Sequence, residues 1–234
     1  MDKIEIISRG ERITHNWNIV LFTLLVLTGT VLFSIELMGW FAYIIGAPLS
    51  SLLGEEPVTI GTQLLRTSHR FIGFAWGALL TVYGLYLLIF RRVEMFRPLT
   101  KPLSQQIKEA KELTGHYVLG KPITPDVAQN LDRRDVLASY ITLLLFAAVV
   151  LISFSGVALV FKEPLGLSPS MAGLMLLLHD VGFMFSLIFV AGHLFAVTHP
   201  VNRPLLNAMF DDGKIDLTWL KHHMPRYLAR RGVK

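Results

Sequence analysis

The chain has 234 residues, of which 53% are hydrophobic and only 17% are charged, whereas an ordinary soluble domain carries roughly 25% charged residues. Its net charge is +5 and it has no cysteine, which excludes disulfides, thiolate-bound iron–sulfur clusters and cysteine-ligated haem within this chain. This composition predicts an integral membrane protein with a single domain over residues 1–234.

Four apolar runs are long enough to cross a bilayer, since each exceeds the roughly 20 residues that a spanning helix needs. They predict an all-α fold, an integral membrane four-helix bundle with a loop between the first two spans. The runs cover residues 17–38, 67–90, 136–161 and 172–198.

Three further elements are expected outside the spans. The segment between the second and third runs predicts a short amphipathic helix over 104–113, with Ser104 as its N-cap and Gly115 after its end. Residues 120–135 contain two prolines and predict an irregular loop. Residues 217–231 are basic and predict a surface helix or tail.

The basic residues predict the orientation of the spans. All Lys and Arg residues except Arg66, Arg70 and Lys162 lie before the first run, between the second and third runs, or after the fourth. By the positive-inside rule, both termini and the central segment lie in the cytoplasm. Because these residues flank membrane spans, the sequence gives no support for binding to nucleic acid.

Four histidines lie in or at the ends of the apolar runs. His179 and His193 are separated by 14 residues in the last run, which places them on one helix face about 21 Å apart along the axis. The topology pairs His193 with His15 near the cytoplasmic surface, and His179 with His69 near the outer surface. Two His–His pairs predict two haem b groups with six-coordinate iron, which carry electrons and offer no open site to a substrate.

Neighbouring residues fit the same interpretation. Arg12 and Arg70 lie beside predicted ligands and are candidates for pairing with haem propionates, although arginines are also common at membrane edges. Gly73 and Gly77 follow His69 at four-residue steps on one helix face. They indicate either clearance for a porphyrin or close packing of helices.

The chain resembles the γ (cytochrome b) subunit of membrane-bound formate dehydrogenases, which is related to the cytochrome b subunits of nickel–iron hydrogenases and thiosulfate reductases. The resemblance lies in Arg12-x-x-His15-x-Trp17 at the first span, His69 at the second, the His179/His193 pair, and the tail at residues 219–227.

This resemblance implies that the four histidines are axial ligands of two haems b, and hence that they bind the haem iron. It implies a menaquinone site close to the haem of His193, with Asn130 as the matching asparagine. It also implies an iron–sulfur β subunit and a molybdenum or tungsten catalytic subunit as partners, and a place in the cytoplasmic membrane of a prokaryote. The chain alone would then not oxidise the substrate; it would be the quinone-reactive subunit of an oxidoreductase complex.

Two alternatives remain open at this point. Related cytochromes serve nickel–iron hydrogenases and sulfur-compound reductases, and nothing in the sequence names the substrate. A haem-free membrane anchor or ion carrier that uses intramembrane histidines belongs to a different class of protein. A purified dihaem protein is red, whereas the anchor or carrier is colourless.

Overall fold

The computed structural model describes residues 2–90 and 94–233 of the chain, so residues 91–93 of the central segment lie outside it. The described part is almost entirely helical, with one two-stranded sheet. The elements are β1 (Lys3–Glu5), α1 (Arg9–Phe33), α2 (Ile35–Leu53), α3 (Pro57–Ile89), α4 (Leu103–Leu119), α5 (Pro125–Gln129), α6 (Val136–Val160), α7 (Pro169–Thr198), α8 (Arg203–Phe210), β2 (Lys214–Asp216), α9 (Leu217–His223) and α10 (Pro225–Arg230).

Five of the described helices, α1, α2, α3, α6 and α7, are long and apolar enough to cross a membrane. Many of their large apolar side chains point away from the protein: Leu88 is 64% exposed, Phe154 63% and Ile188 58%. Such a surface is costly in water and favourable in lipid. The prediction of an all-α membrane protein is confirmed, with one more candidate span than the sequence indicated.

The extra candidate, α2, occupies the segment that the sequence predicted to be a loop, so that prediction was wrong. The helix contains Pro48, Gly39 and Gly46, and it is followed by Gly54 in the left-handed conformation. Its other residues are mostly apolar, and its packing partner is the first part of α3. That contact outweighs the poor helix propensity of glycine and proline.

Contacts between residues divide the chain into two compact units. Unit 2 comprises Ile13–Ile89 and Leu151–Asp180. Within it, α2 and α3 form a hairpin with backbone-to-backbone contact. A Cβ atom at Gly61 would lie 1.8 Å from the Ala42 carbonyl oxygen, and one at Gly46 would lie 1.8 Å from that of Pro57. Only glycine permits this approach.

Unit 1 comprises Met1–Arg12, Phe90–Val150 and Val181–Lys234. Its two ends meet in the small sheet, where β1 pairs antiparallel with β2 and Ile4 lies opposite Ile215. The described apolar core of this region holds buried side chains from both ends of the chain: Ile6, Ile7, Ala208, Ile215, Leu220, Met224, Tyr227 and Leu228.

The predicted basic tail is therefore structured. It forms α9 and α10, whose side chains Leu220 and Tyr227 are 0% and 4% exposed. The basic residues of this segment alternate with apolar ones, so its helices are amphipathic, with one face in the core and the other in solvent.

The amphipathic helix of unit 1, α4, is longer than predicted. It begins at Leu103 without a side-chain cap, and it ends at Leu119, followed by Gly120 in the left-handed conformation. The expected cap at Ser104 and end at Gly115 were wrong, because Gly115 lies within the helix and Gly120 supplies the C-terminal geometry. The segment 120–135 is likewise only partly irregular, since α5 lies within it.

Candidate metal centre

Two imidazole rings face each other inside unit 2. His69 lies on α3 and His179 on α7; their ring centroids are 6.1 Å apart and their planes meet at 71°. A bond from a metal ion to an imidazole nitrogen is about 2 Å long, so an ion midway between two imidazoles separates their centroids by about 6 Å. The spacing of the rings fits one ion with two axial imidazole ligands.

The pair does not belong to a larger cluster of metal-binding side chains. No group of three or more His, Asp or Glu side chains within residues 2–90 and 94–233 is arranged to hold a metal ion. Two protein ligands alone leave most of a transition metal's coordination positions unfilled. Haem fits this arrangement, because the porphyrin supplies four equatorial nitrogens and the protein only the axial ligands.

A hydroxyl group lies within hydrogen-bonding distance of the Nδ1 atom of each ring. His69 Nδ1 lies 2.8 Å from Thr28 Oγ1 on α1, and His179 Nδ1 lies 3.1 Å from Ser155 Oγ on α6. Since the Nδ1 atoms are engaged in these contacts, Nε2 is the nitrogen that remains on each ring for a metal.

The helix face that follows His69 is open. A Cβ atom at Gly77 would meet no described atom within 4 Å, and one at Gly73 would meet only a Leu25 methyl group at 3.9 Å. Close packing would look different, as the 1.8 Å approach at Gly61 illustrates. Gly73 and Gly77 therefore do not serve close packing of helices in the described part of the chain, and clearance for a porphyrin stays a prediction.

The other two predicted ligands lie in different units. His15 lies on α1 in unit 2 and is half-buried, while His193 lies on α7 in unit 1 and is also half-buried. The His193 ring stacks on Phe189 at 5.5 Å with an interplanar angle of 11°. The pairing of His15 with His193 stays a prediction.

The two arginines predicted to pair with propionates differ in their surroundings. Arg12 donates a hydrogen bond from Nη1 to the Asp211 carbonyl oxygen. Its Nε is buried and has no hydrogen-bond partner among the described residues, which leaves an N–H group for a carboxylate. Arg70 is exposed beside His69. Both roles stay predictions.

Asn130 is the last residue of the turn after α5 and is exposed. Its side-chain Nδ2 donates to the Asp126 carbonyl oxygen at 2.8 Å, and its own carbonyl oxygen accepts from Lys101 Nζ at 3.4 Å. One N–H of the amide and the side-chain oxygen remain for a further partner. The predicted role of Asn130 in binding quinone is compatible with this geometry and stays untested.

Sequence reasoning missed a buried polar cluster beside Asn130, at the start of α6. Glu109 is 3% exposed and pairs with Lys101. Its Oε1 also accepts the Val136 N–H at 3.0 Å. Burial raises the pKa of the neighbouring Asp135, although that carboxylate accepts the Ala138 N–H.

A signal for this cluster was present in α4. Gln106, Glu109 and Leu113 follow each other at three and four residues and share one helix face. A carboxylate and an amide on the face that also carries a buried leucine indicate buried polar partners. Gln106 indeed accepts a hydrogen bond from the Tyr140 hydroxyl at 2.7 Å.

Comparison with known proteins gave one finding. A family model described as prokaryotic cytochrome b561 matches residues 6–212. No curated protein matches the chain. The matched range includes all four predicted histidine ligands: His15, His69, His179 and His193.

Proposed function

Because the chain belongs to the prokaryotic cytochrome b561 family, we propose that it is a dihaem membrane subunit that links an iron–sulfur partner to the quinone pool. The family itself identifies a membrane electron-transfer protein that binds haem b. The observation that carries the proposal is the facing pair His69 and His179, whose centroid distance of 6.1 Å suits one iron ion. Haem b supplies a one-electron iron couple when bound.

The second haem is proposed to lie between His15 and His193. The support is the arrangement of the chain: His193 follows His179 by 14 residues on the continuous helix α7, so both point to the same side of it, about 21 Å apart. Two haems at this separation along one helix would provide a path for electrons from one surface of the membrane to the other.

We propose that four of the five candidate helices cross the membrane and that α2 does not. α3 has 33 residues, which makes it about 50 Å long, against a hydrocarbon core of about 30 Å. α2 packs along its first part, where Ala42 and Gly46 contact Gly61 and Pro57, ahead of the predicted span that begins at residue 67. α2 would then lie at the outer surface.

A fifth crossing would also conflict with the charges. It would place the basic central segment on the side of the membrane opposite to Arg9 and Arg12, against the positive-inside rule. With four crossings, both termini and the central segment share the cytoplasmic side.

Labelling of single cysteines would test this topology, because the chain has no native cysteine. In intact cells, Glu55→Cys and Lys162→Cys should react with a membrane-impermeant maleimide, and Lys111→Cys should react only after lysis. All three positions are exposed. Labelling of Lys111→Cys but not Glu55→Cys in intact cells would overturn the proposed orientation.

The quinone is proposed to bind at the cytoplasmic side of unit 1, near Asn130 and His193. A quinone head group needs polar donors, and irregular backbone at membrane depth is tolerated only where it is buried in protein or lines a cavity. Residues 130–135 are irregular and adjoin α6. The carboxylates of Glu109, which is buried, and of Asp135, which is half-buried, lie at the same helix start.

Asn130→Ala should slow haem reoxidation by a quinone analogue by about tenfold, since one hydrogen bond of about 1.4 kcal/mol is lost. Both haem spectra should remain. Gln129→Ala, at the exposed neighbouring residue, is the control and should reoxidise at the wild-type rate. Wild-type kinetics in Asn130→Ala would remove this residue from the quinone site.

The proposed partners are an iron–sulfur subunit and a molybdenum or tungsten subunit, as in formate dehydrogenases. The support is the resemblance of the histidine motifs and the tail. A nickel–iron hydrogenase or a sulfur-compound reductase is the second candidate for the complex. Purification of the chain with its native partners, followed by metal analysis, would distinguish molybdenum or tungsten from nickel.

The test of haem binding is the absorption spectrum of the purified protein. A dithionite-reducible b-type spectrum is expected. A colourless protein would contradict the proposal and favour the haem-free anchor or ion carrier.

A further inference from the structure

Two hydroxyl–glycine pairs hold the facing imidazoles, and their arrangement is the same on both sides. Thr28-Gly29 on α1 contacts His69, and Ser155-Gly156 on α6 contacts His179. We propose that Thr28 and Ser155 are positioning residues that fix each imidazole as the Nδ1–H tautomer and tune the reduction potential of the metal held by Nε2. The inference rests on the proposed haem-binding function.

Thr28 Oγ1 carries a single hydrogen but has two polar neighbours, and this determines the tautomer of His69. Thr28 Oγ1 lies 2.8 Å from the Leu24 carbonyl oxygen and 2.8 Å from His69 Nδ1. The carbonyl oxygen can only accept, so the single hydroxyl hydrogen is donated to it. The hydroxyl oxygen then accepts, and His69 Nδ1 must carry the hydrogen. His69 Nε2 is therefore left with its lone pair.

The same count applies to Ser155. Its hydroxyl donates to the Leu151 carbonyl oxygen, and its oxygen lies 3.1 Å from His179 Nδ1. His179 is thus also an Nδ1–H donor with a free Nε2. Ser155 is 0% exposed, so no water competes for this hydrogen bond.

The glycine after each hydroxyl makes room for the ring. A Cβ atom at Gly29 would lie 3.1 Å from His69 Cε1, and one at Gly156 would lie 3.2 Å from His179 Cε1. These distances are shorter than ordinary van der Waals contact. Each ring is therefore held by a hydrogen bond at Nδ1 and by backbone contact beside it, which fixes its rotation as well as its tautomer.

Helical Ser and Thr often donate to the carbonyl one turn before without any further role. Thr30 on α1 does so towards Val26 at 2.7 Å, and Thr142 on α6 towards Ala138 at 2.7 Å. Thr28 and Ser155 differ because their oxygens also meet a ring nitrogen. Thr30 and Thr142 thus provide matched controls on the same two helices, α1 and α6.

The hydrogen bonds have a consequence for a bound metal. An acceptor at Nδ1–H raises the basicity of a ligating histidine, and a more basic ligand stabilises ferric iron relative to ferrous iron. The two hydroxyls should therefore lower the reduction potential of the haem held by His69 and His179. Removing either one should raise it.

Redox titration of the purified holoprotein tests this inference. In Thr28→Val and in Ser155→Ala, the equilibrium constant for reduction of one haem, the same in both variants, should rise by about tenfold, which is 59 mV for a one-electron couple. The other haem should keep its potential. Thr28→Ser retains the hydroxyl and should restore the wild-type value, and Thr30→Val and Thr142→Val should leave both potentials unchanged.

Unchanged potentials in Thr28→Val and Ser155→Ala would overturn the inference, as would an equal shift in the two controls. If Thr28→Val loses the haem, its retention at the wild-type potential in Thr28→Ser supports the inference, and loss from both variants contradicts it. A wild-type protein without haem would instead contradict the proposed function, so the two failures are distinguishable.

Discussion

Replacing His69 or His179 by alanine is expected to remove one of two haems, and the same one in both variants. In the proposed site each imidazole would supply one axial ligand to the same iron, because the two ring centroids lie 6.1 Å apart. A six-coordinate site that loses an axial ligand also loses the bond that anchors the cofactor on that side. Haem content and the dithionite-reduced spectrum of the purified variants would measure the loss.

His193→Ala should remove the other haem, and His222→Ala is the control. His222 is exposed on α9, so both haems should remain after its replacement. Loss of different haems from His69→Ala and His179→Ala would show that the two rings do not share one iron.

Gly61→Ala should destabilise the protein strongly, because its methyl group would lie 1.8 Å from the Ala42 carbonyl oxygen. The obstacle is backbone, which cannot move aside as a flexible side chain can. We expect the loss to be about 3 kcal/mol, the upper part of the range for overpacking, or roughly 10 °C in melting temperature for a chain of this length. Thermal melting of the detergent-solubilised protein would measure it.

Gly84→Ala on the same helix is the matched control. A Cβ atom there would meet no described atom within 4 Å, and alanine has the better helix propensity. Its melting temperature should equal or slightly exceed that of the wild type. Equal melting of Gly61→Ala and the wild type would contradict the close contact between α2 and α3.

The helices with the most continuous apolar sequence were the easiest to predict. The third run was expected at 136–161 and α6 spans Val136–Val160; the fourth was expected at 172–198 and α7 spans Pro169–Thr198. The third run contains no charged residue and the fourth only Asp180, and an apolar run of this length forms a buried or membrane helix. Run length alone therefore sufficed there.

The first two runs were harder, because their helices do not coincide with the apolar stretches. α1 spans Arg9–Phe33, whereas the first run covers residues 17–38. α3 begins at Pro57, ahead of the predicted span, and α2 was missed. The early start of α3 and the presence of α2 both depend on the close contact between these two helices at Gly46 and Gly61. There glycine permits close packing and does not end a helix. A single sequence does not reveal which glycine has which role.

The small sheet could not be predicted either. Its strands have three residues each and come from opposite ends of the chain. Strands this short carry almost no alternation of apolar and polar residues. Gly213, just before β2, illustrates the difficulty. Its φ is +80°, and a Cβ atom there would lie 2.1 Å from the Ile7 carbonyl oxygen. This position therefore requires glycine because of a contact that forms only in the folded protein.

The candidate site was partly predictable. Topology alone brought His69 and His179 to the same leaflet, and the structure brings their rings together. The contacts of the Thr28 and Ser155 hydroxyls were not predicted. In a sequence, a Ser or Thr that hydrogen-bonds a neighbouring helix looks the same as one that hydrogen-bonds only the backbone of its own helix. Their role depends on the rotation of neighbouring helices, which the sequence does not specify.

The central claim is that four histidines hold two haems b, and a pyridine haemochrome assay on the purified protein, with protein determined by amino-acid analysis, tests it most directly. The account predicts two haems b per polypeptide. One haem per polypeptide would contradict the pairing of His15 with His193 or that of His69 with His179, and none would contradict the haem assignment altogether.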